Sequence, residues 1–179
     1  MNRIQITPVG IGDINLLQHI SRLTFSETFS SANNPEDMAN YLDESFSIEK
    51  LRAELSDQYS YFYFARLAGE AIAYLKLNVG ASQTELKDDK ALEIERIYVL
   101  KKYQGKKVGQ LLYDQAIQVA EQKKAAYVWL GVWEENLSAI SFYKKNGFVE
   151  FDKHIFRLGN DEQTDVMMKK VLNGDKHLA

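Results

Sequence analysis

The chain has no cysteine and only two prolines in 179 residues. Without cysteine there is no disulfide framework, no thiolate nucleophile and no Cys-ligated zinc, and the composition fits a reducing compartment. Histidine is almost as scarce: His19, His154 and His177 stand alone, with no H-E-x-x-H or paired-acid spacing, so no metal is expected. Long apolar runs are missing too. No segment approaches the roughly 20 residues needed to span a bilayer, and the opening "MNRIQITPVGIGDINLL" lacks the apolar core of a signal peptide, so a soluble cytoplasmic protein is expected. Nor does one sign of charge dominate. The 22 basic and 25 acidic side chains leave a net charge of −3, and no basic run exceeds a few lysines, which argues against membrane or nucleic-acid backbone binding. What is present is ordinary globular composition, 45% hydrophobic and 26% charged, at a length that suits one domain over residues 1–179.

The pattern along the chain predicts a short strand at 3–7 ended by Pro8, then a helix over 13–29 with Leu16, Leu17, Ile20, Leu23 and Phe29 on one face. A second helix over 33–46 has Asn34 as N-cap and Pro35 in its first turn, and a third over 47–55 begins at Ser47. From residue 59 the period becomes two, giving a hairpin that turns at Ala68 and Gly69. A polar loop covers 80–90. Strand 91–100 then alternates, with Leu92, Ile94 and Tyr98 opposed to Glu93, Glu95, Ile97 and Val99. An amphipathic helix runs from Val108 to about Lys123, an apolar strand spans 126–133, and Asn136 caps a helix that stops at Asn146–Gly147. Trp129 and Trp133 flank Gly131 on one face of that strand, as core or pocket wall. Two or three strands close the chain. Helices alternating with strands after an antiparallel hairpin describe a mixed α/β sheet.

The stretch "YQGKKVGQLLYDQA" at 103–116 joins a strand to a helix through glycine and lysine. Such a turn offers unpaired backbone N–H groups at a helix N-terminus, which suits phosphate. It matches neither G-x-x-x-x-G-K-[ST] nor G-x-G-x-x-G.

The order of glutamate-bearing strand, "YQGKKVG" loop, amphipathic helix, apolar strand and "NLSAISFYKKNGF" resembles the GNAT superfamily of acyl-CoA-dependent N-acetyltransferases, strongly over about 91–150 and in outline elsewhere. The stretches "LEIERIYV", "WLGVWEENLSAISFYKKNGF" and "DEQTDVMMKK" are further similar to bacterial spermidine/spermine acetyltransferases of the protease-production and sporulation regulator type. The resemblance implies a GNAT fold, a mostly antiparallel twisted sheet with a splayed parallel strand pair, flanked by helices. It implies acetyl-CoA as cosubstrate, with Gln104, Gly105, Lys106, Lys107, Val108, Gly109 and Gln110 at the pyrophosphate and Ile97, Tyr98 and Val99 along the pantetheine arm. Lys107 stands where the family pattern has glycine, a departure expected to be tolerated with its backbone outside the left-handed region.

By the same resemblance Tyr143 protonates the departing thiolate, Asn136 meets the pantetheine amides or simply caps its helix, and Lys145 meets phosphate or favours the helix C-terminus. Glu93 or Glu95 takes the proton of a primary amine through water, or forms a solvated strand face or a salt bridge with Arg96. The acids Glu27, Glu36, Asp37, Asp43 and Glu44 on the first two helices are candidates to attract a polycation or plain solvated faces. The implied acceptor is a small amine, a polyamine before others. Another amine or protein acceptor, and a noncatalytic acyl-CoA-binding regulator, are the competing readings. A homodimer is common in the superfamily, but no stretch marks an interface.

Overall fold

The computed structural model describes residues 3–172. Its twelve principal elements are β1 (Gln5–Pro8), α1 (Ile14–Phe29), α2 (Pro35–Ser45), α3 (Ile48–Ser56), β2 (Ser60–Leu67), β3 (Glu70–Val79), β4 (Ala91–Val99), α4 (Val108–Gln122), β5 (Tyr127–Trp133), α5 (Leu137–Lys145), β6 (Val149–Leu158) and β7 (Asp161–Val171). Local chemistry accounts for most boundaries. Asn34 Oδ1 accepts from Glu36 N–H at 2.8 Å and Ser47 Oγ from Lys50 N–H at 3.2 Å, so both expected caps form. Ala68 (φ 51°) and Gly69 (φ 87°) make the two-residue hairpin turn. Pro8 is the last residue of β1 rather than a break before it. That strand is at the sheet edge, where a missing N–H is tolerated.

The strands form one seven-stranded sheet in the order β1-β2-β3-β4-β5-β7-β6. All neighbours are antiparallel except β4 and β5, which pair in parallel through Ala91–Tyr127, Leu92–Val128 and Glu93–Trp129 and then part. The expected fold class is therefore the one observed. The closing strands are two, because the stretches at 149–152 and 154–159 belong to one strand with an irregularity after Glu150.

Two hydrophobic layers sandwich this sheet. On one face α4 and α5 pack Val108, Leu112, Ala116, Ile140 and Tyr143 against Leu75, Leu77, Leu92, Ile94, Leu130 and Val132. On the other, α1, α2 and α3 pack Leu17, Ile20, Phe25, Met38 and Leu51 against Phe62, Phe64 and Tyr74. Leu23, expected in the buried stripe of α1, is 39% exposed.

β4 departs from its expected alternation. Its register with β3 runs Arg96–Lys76 and then Ile94–Leu77, leaving Glu95 as an extra residue. One inserted residue inverts the side-chain phase of everything beyond it. Ile97 and Val99 consequently join Leu92 and Ile94 in the α4 layer, while Tyr98 joins the three-helix layer.

The β6–β7 turn is seated against α2. Gly159 has φ +60°, and a Cβ there would overlap the Asp37 carboxyl group. Gly159→Ala should cost about 2 kcal/mol in urea denaturation, from the left-handed backbone and the clash together. In an Asp37→Ala background the same substitution should cost only about 1 kcal/mol, the backbone share.

Candidate active site

Where β4 and β5 part, a cleft of about 1130 Å³ passes from the α4–α5 side of the sheet to the three-helix side. Its backbone lining follows from strand geometry. Leu100 donates its N–H to Ile72 O on β3 at 3.0 Å. Because amide direction alternates along a strand, Val99 and Ile97 turn theirs to the opposite edge, the one β5 has left. The Val99 carbonyl on that edge accepts from Gln104 Nε2 at 3.2 Å.

The cleft reaches the N-terminus of α4, where Gln104, Gly105, Lys107, Val108, Gly109 and Gln110 line it. Gly105 has φ +73°, and Lys107, the residue before the helix, has φ 63° and ψ 12°. Lys107 is therefore left-handed, contrary to expectation: it adopts a conformation that favours glycine, at a cost of roughly 1–2 kcal/mol. The first-turn amides of α4 have no intrahelical acceptors and carry the positive end of the helix dipole, so the turn suits a pyrophosphate. Lys106 is exposed, its Nζ 5.5 Å from the centroid of the Tyr103 ring, and does not line the cleft. Lys145, exposed at the last position of α5, does not line it either. Gln110 spends its amide on Asp114 and Asn146 at 3.0 and 3.1 Å, joining α4 to the end of α5.

Glu93 and Glu95 converge on Asn78, whose Nδ2 donates to Glu93 Oε2 at 3.0 Å and to Glu95 Oε2 at 2.6 Å. Their environments then differ. Glu93 is buried, accepting also from the Thr84 N–H at 2.8 Å and the Thr84 hydroxyl. Burial outweighs these bonds and raises its pKa. Glu95 is also penalised by burial, but Arg96 and Lys76 outweigh that and hold its pKa below the usual value. It belongs to a buried quartet. Lys76 Nζ lies 2.6 Å from Glu95 and 3.3 Å from Glu54, and Arg96 grips Glu54 through two nitrogens at 3.0 and 3.2 Å. The pairing with Arg96 considered for both glutamates is thus made by Glu95, at 3.3 Å. Glu93 is the carboxylate without a cationic partner.

Tyr143 of α5 enters the cleft from the other layer, and burial alone pushes its hydroxyl pKa far above the usual range. Asn136, which accepts from Ala139 N–H at 3.2 Å as the cap of α5, is also in the lining. On the three-helix side the wall is aromatic. Phe25 stacks on Tyr41 at 4.6 Å, Tyr41 meets Phe156 at 5.7 Å and Phe29 meets Trp133 at 5.6 Å.

Two further carboxylates line the cleft, Glu85 and Asp165. Neither stood out in the sequence, although Asp165, beside the apolar run "VMM", interrupts the interior phase of a closing strand. The acids proposed on the first two helices do not line it: Glu27 accepts from Lys101 N–H at 2.8 Å, Asp43 pairs with Arg22 at 2.9 Å, and Asp37 faces Gly159. Among the described residues no group of three or more His, Cys, Asp or Glu side chains is arranged to hold a metal ion, and no helix is long and apolar enough to cross a membrane.

Lys76→Met should destabilise the fold by about 2 kcal/mol near neutral pH, because it leaves two largely buried carboxylates to share Arg96 as their one cation. Glu95 has a depressed folded-state pKa, so its stabilising contribution exists above its unfolded pKa and is lost as pH falls through the folded value. The penalty of Lys76→Met should accordingly shrink in acid, as read from urea titrations at both pH values. At the α4 turn, Lys107→Gly should be at least as stable as the parent, whereas Lys107→Val should lose about 1–2 kcal/mol in thermal and urea melts.

Comparison with known proteins agrees with this architecture. The Acetyltransferase (GNAT) family profile matches residues 17–148. An uncharacterised N-acetyltransferase from the pepI 3′ region of Lactobacillus delbrueckii subsp. lactis is 41% identical over 96% of this chain and 99% of its own length. The spermidine N(1)-acetyltransferase of Thermoplasma acidophilum is 28% identical over 81% of this chain and 88% of its own. Among solved structures, the PaiA N-acetyltransferase of Thermoplasma acidophilum in complex with coenzyme A superimposes with a TM-score of 0.80 at 26% identity, covering 95% of this chain and 99% of that one. A probable acetyltransferase from Staphylococcus epidermidis shares the fold with a TM-score of 0.74 at 20% identity, over 96% and 100% of the two chains. With a sheet that opens beside a glycine- and lysine-bearing helix turn and a family profile spanning most of its length, the chain belongs to the GNAT family of acetyl-CoA-dependent N-acetyltransferases.

Proposed function

We propose that the chain acetylates a primary amine of a polyamine, spermidine or spermine, with Glu93 and Tyr143 moving the protons. The observation that carries this reading is the character of the three-helix end of the cleft, aromatic rings above and carboxylates below. Aromatic faces favour alkylammonium groups and the carboxylates neutralise them, whereas an uncharged acceptor gains little there. The Thermoplasma spermidine acetyltransferase supports the same substrate class.

Acetyl-CoA supplies an activated thioester; binding and proton transfer fall to the chain. The turn at Gln104–Gly109 and the first amides of α4 take the pyrophosphate, and the free backbone edge of Ile97 and Val99, with Asn136, takes the pantetheine amides. The same edge holds an N–H at Val99 for the charge that develops on the carbonyl oxygen. An aliphatic amine is largely protonated at neutral pH and cannot attack in that form. Glu93 accepts its proton, directly or through water. Its raised pKa makes it a better base than an ordinary glutamate. Glu95 is committed to Lys76 and Arg96 and keeps its low proton affinity. Tyr143 stays protonated because burial opposes the phenolate; it gives its proton to the leaving sulfur and is restored by the second proton that the attacking nitrogen loses as the amide forms.

Coenzyme A thiol release from acetyl-CoA, followed with spermidine, spermine, putrescine, lysine peptides and aminoglycosides, tests the proposal. Polyamine-dependent release is expected, falling about 10²-fold in Tyr143→Phe and in Glu93→Gln. The acidic limb of the kcat/KM profile, set by ionisation of Glu93 and shifted upward by its burial, should vanish in Glu93→Gln. Release with peptides or aminoglycosides in preference to polyamines refutes the substrate assignment, and an unaltered rate in Tyr143→Phe refutes its acid role.

A further inference from the structure

Four carboxylates line the cleft, and three are engaged. Glu93 is held by Thr84 and Asn78, Glu95 by Lys76 and Arg96, and Glu85 by His154 Nδ1. Asp165 differs. Among the described residues no hydrogen bond or ion pair takes up its half-buried carboxylate, and only the fields of His154 and Glu85 reach it. Its position is prepared by the opposite strand. Asp165 is the β7 partner of Trp133, but its side chain leans over Gly131, where a Cβ would come 3.5 Å from Oδ2. Gly131, which carries no side chain, lines the cleft next to this carboxylate.

Burial raises this group to about 6, with His154 opposing and Glu85 adding. It is therefore mostly ionised at neutral pH, half-buried and without a cation, an arrangement that costs free energy until a positive group arrives. Trp133 lines the same cleft, and an aromatic ring there adds attraction for an ammonium. Glu93 lies beside Trp129, and Gly131 is two residues further along β5, about 7 Å at strand rise. A short alkyl chain bridges that separation.

We infer that Asp165 is the residue that selects the acceptor, binding a second, non-reacting ammonium while the reacting amine lies at Glu93. The inference rests on the polyamine reading to this extent, that the acceptor carries two cationic groups. It extends that reading by assigning the discrimination between a diamine or triamine and a simple monoamine to one side chain. Glu93 provides proton transfer for either kind of amine; only the second charge engages Asp165.

Calorimetric titration of spermidine and, separately, butylamine into enzyme saturated with coenzyme A, using the parent, Asp165→Asn and Asp165→Glu, decides the matter. Spermidine binding should weaken at least about tenfold in Asp165→Asn, recover in part in Asp165→Glu, and show no matching loss for butylamine. Retained coenzyme A binding in each variant reports that the fold is intact. Equal spermidine affinity in parent and Asp165→Asn overturns the inference, as does an equal loss for butylamine, which would mark a structural role. Thiol release in parallel separates the two readings. Spermidine that binds through Asp165 without being acetylated refutes the proposed reaction and leaves the cation site standing, whereas spermidine that is acetylated with unchanged affinity in Asp165→Asn refutes only the site.

Discussion

A parallel strand pair that stops pairing part-way along leaves one strand with a row of backbone groups facing nothing but solvent or ligand. In this fold the row is on β4, beyond Glu93, and most of the functional architecture follows from it. The sheet remains continuous through β3 on one side and β7 on the other, so the opening is a slot in a rigid wall. Turn 104–107 and helix α4 close one end of the slot and the α1–α2 aromatics the other. Access from the two faces of the sheet brings two different chemical environments together over a single strand edge.

The bulge at Glu95 lies at this opening. It lets a hydrophobic strand carry two neighbouring carboxylates without placing either in the α4 core, and it sets Arg96 and Lys76 on the layer where Glu54 can balance them. The quartet is formally neutral, which is how four charges persist under the three-helix layer. Glu93, excluded from that neutralisation, retains an elevated proton affinity. Two glutamates two residues apart thus share a burial penalty and end with opposite shifts, because only Glu95 has cationic partners to outweigh it.

Periodicity carried most of the fold into view: the helices, the hairpin turn at Ala68–Gly69, the long strands, and the glycine-lysine turn that lies at the cleft. It failed where regularity fails. Nothing in "LEIERIYV" reports that Glu95 is a bulge, so strict alternation places Ile97, Tyr98 and Val99 one step out of phase with the faces they occupy. Lys107 misled for a related reason, since residue type indicates a conformational preference and tertiary context overrode it. Asp165 and Glu85 were invisible because an acid in a strand or loop resembles a solvated one until the strands on either side are known. The acids on the first two helices fit the second of their two readings, solvated faces and local pairings, since composition alone does not place them.

Gly159 shows a wider consequence of the close approach between α2 and the β6–β7 turn. The carboxyl of Asp37 occupies the space a side chain at 159 would need, Gln163 Nε2 donates to Asn33 Oδ1 at 3.0 Å just before α2, and Tyr41 of α2 meets Phe156 of β6 at 5.7 Å. These three contacts fasten α2 to the hairpin, and Tyr41 and Phe156 also line the slot. Widening that side for a bulkier guest therefore disturbs packing that reaches from the cleft wall to the tip of a surface hairpin.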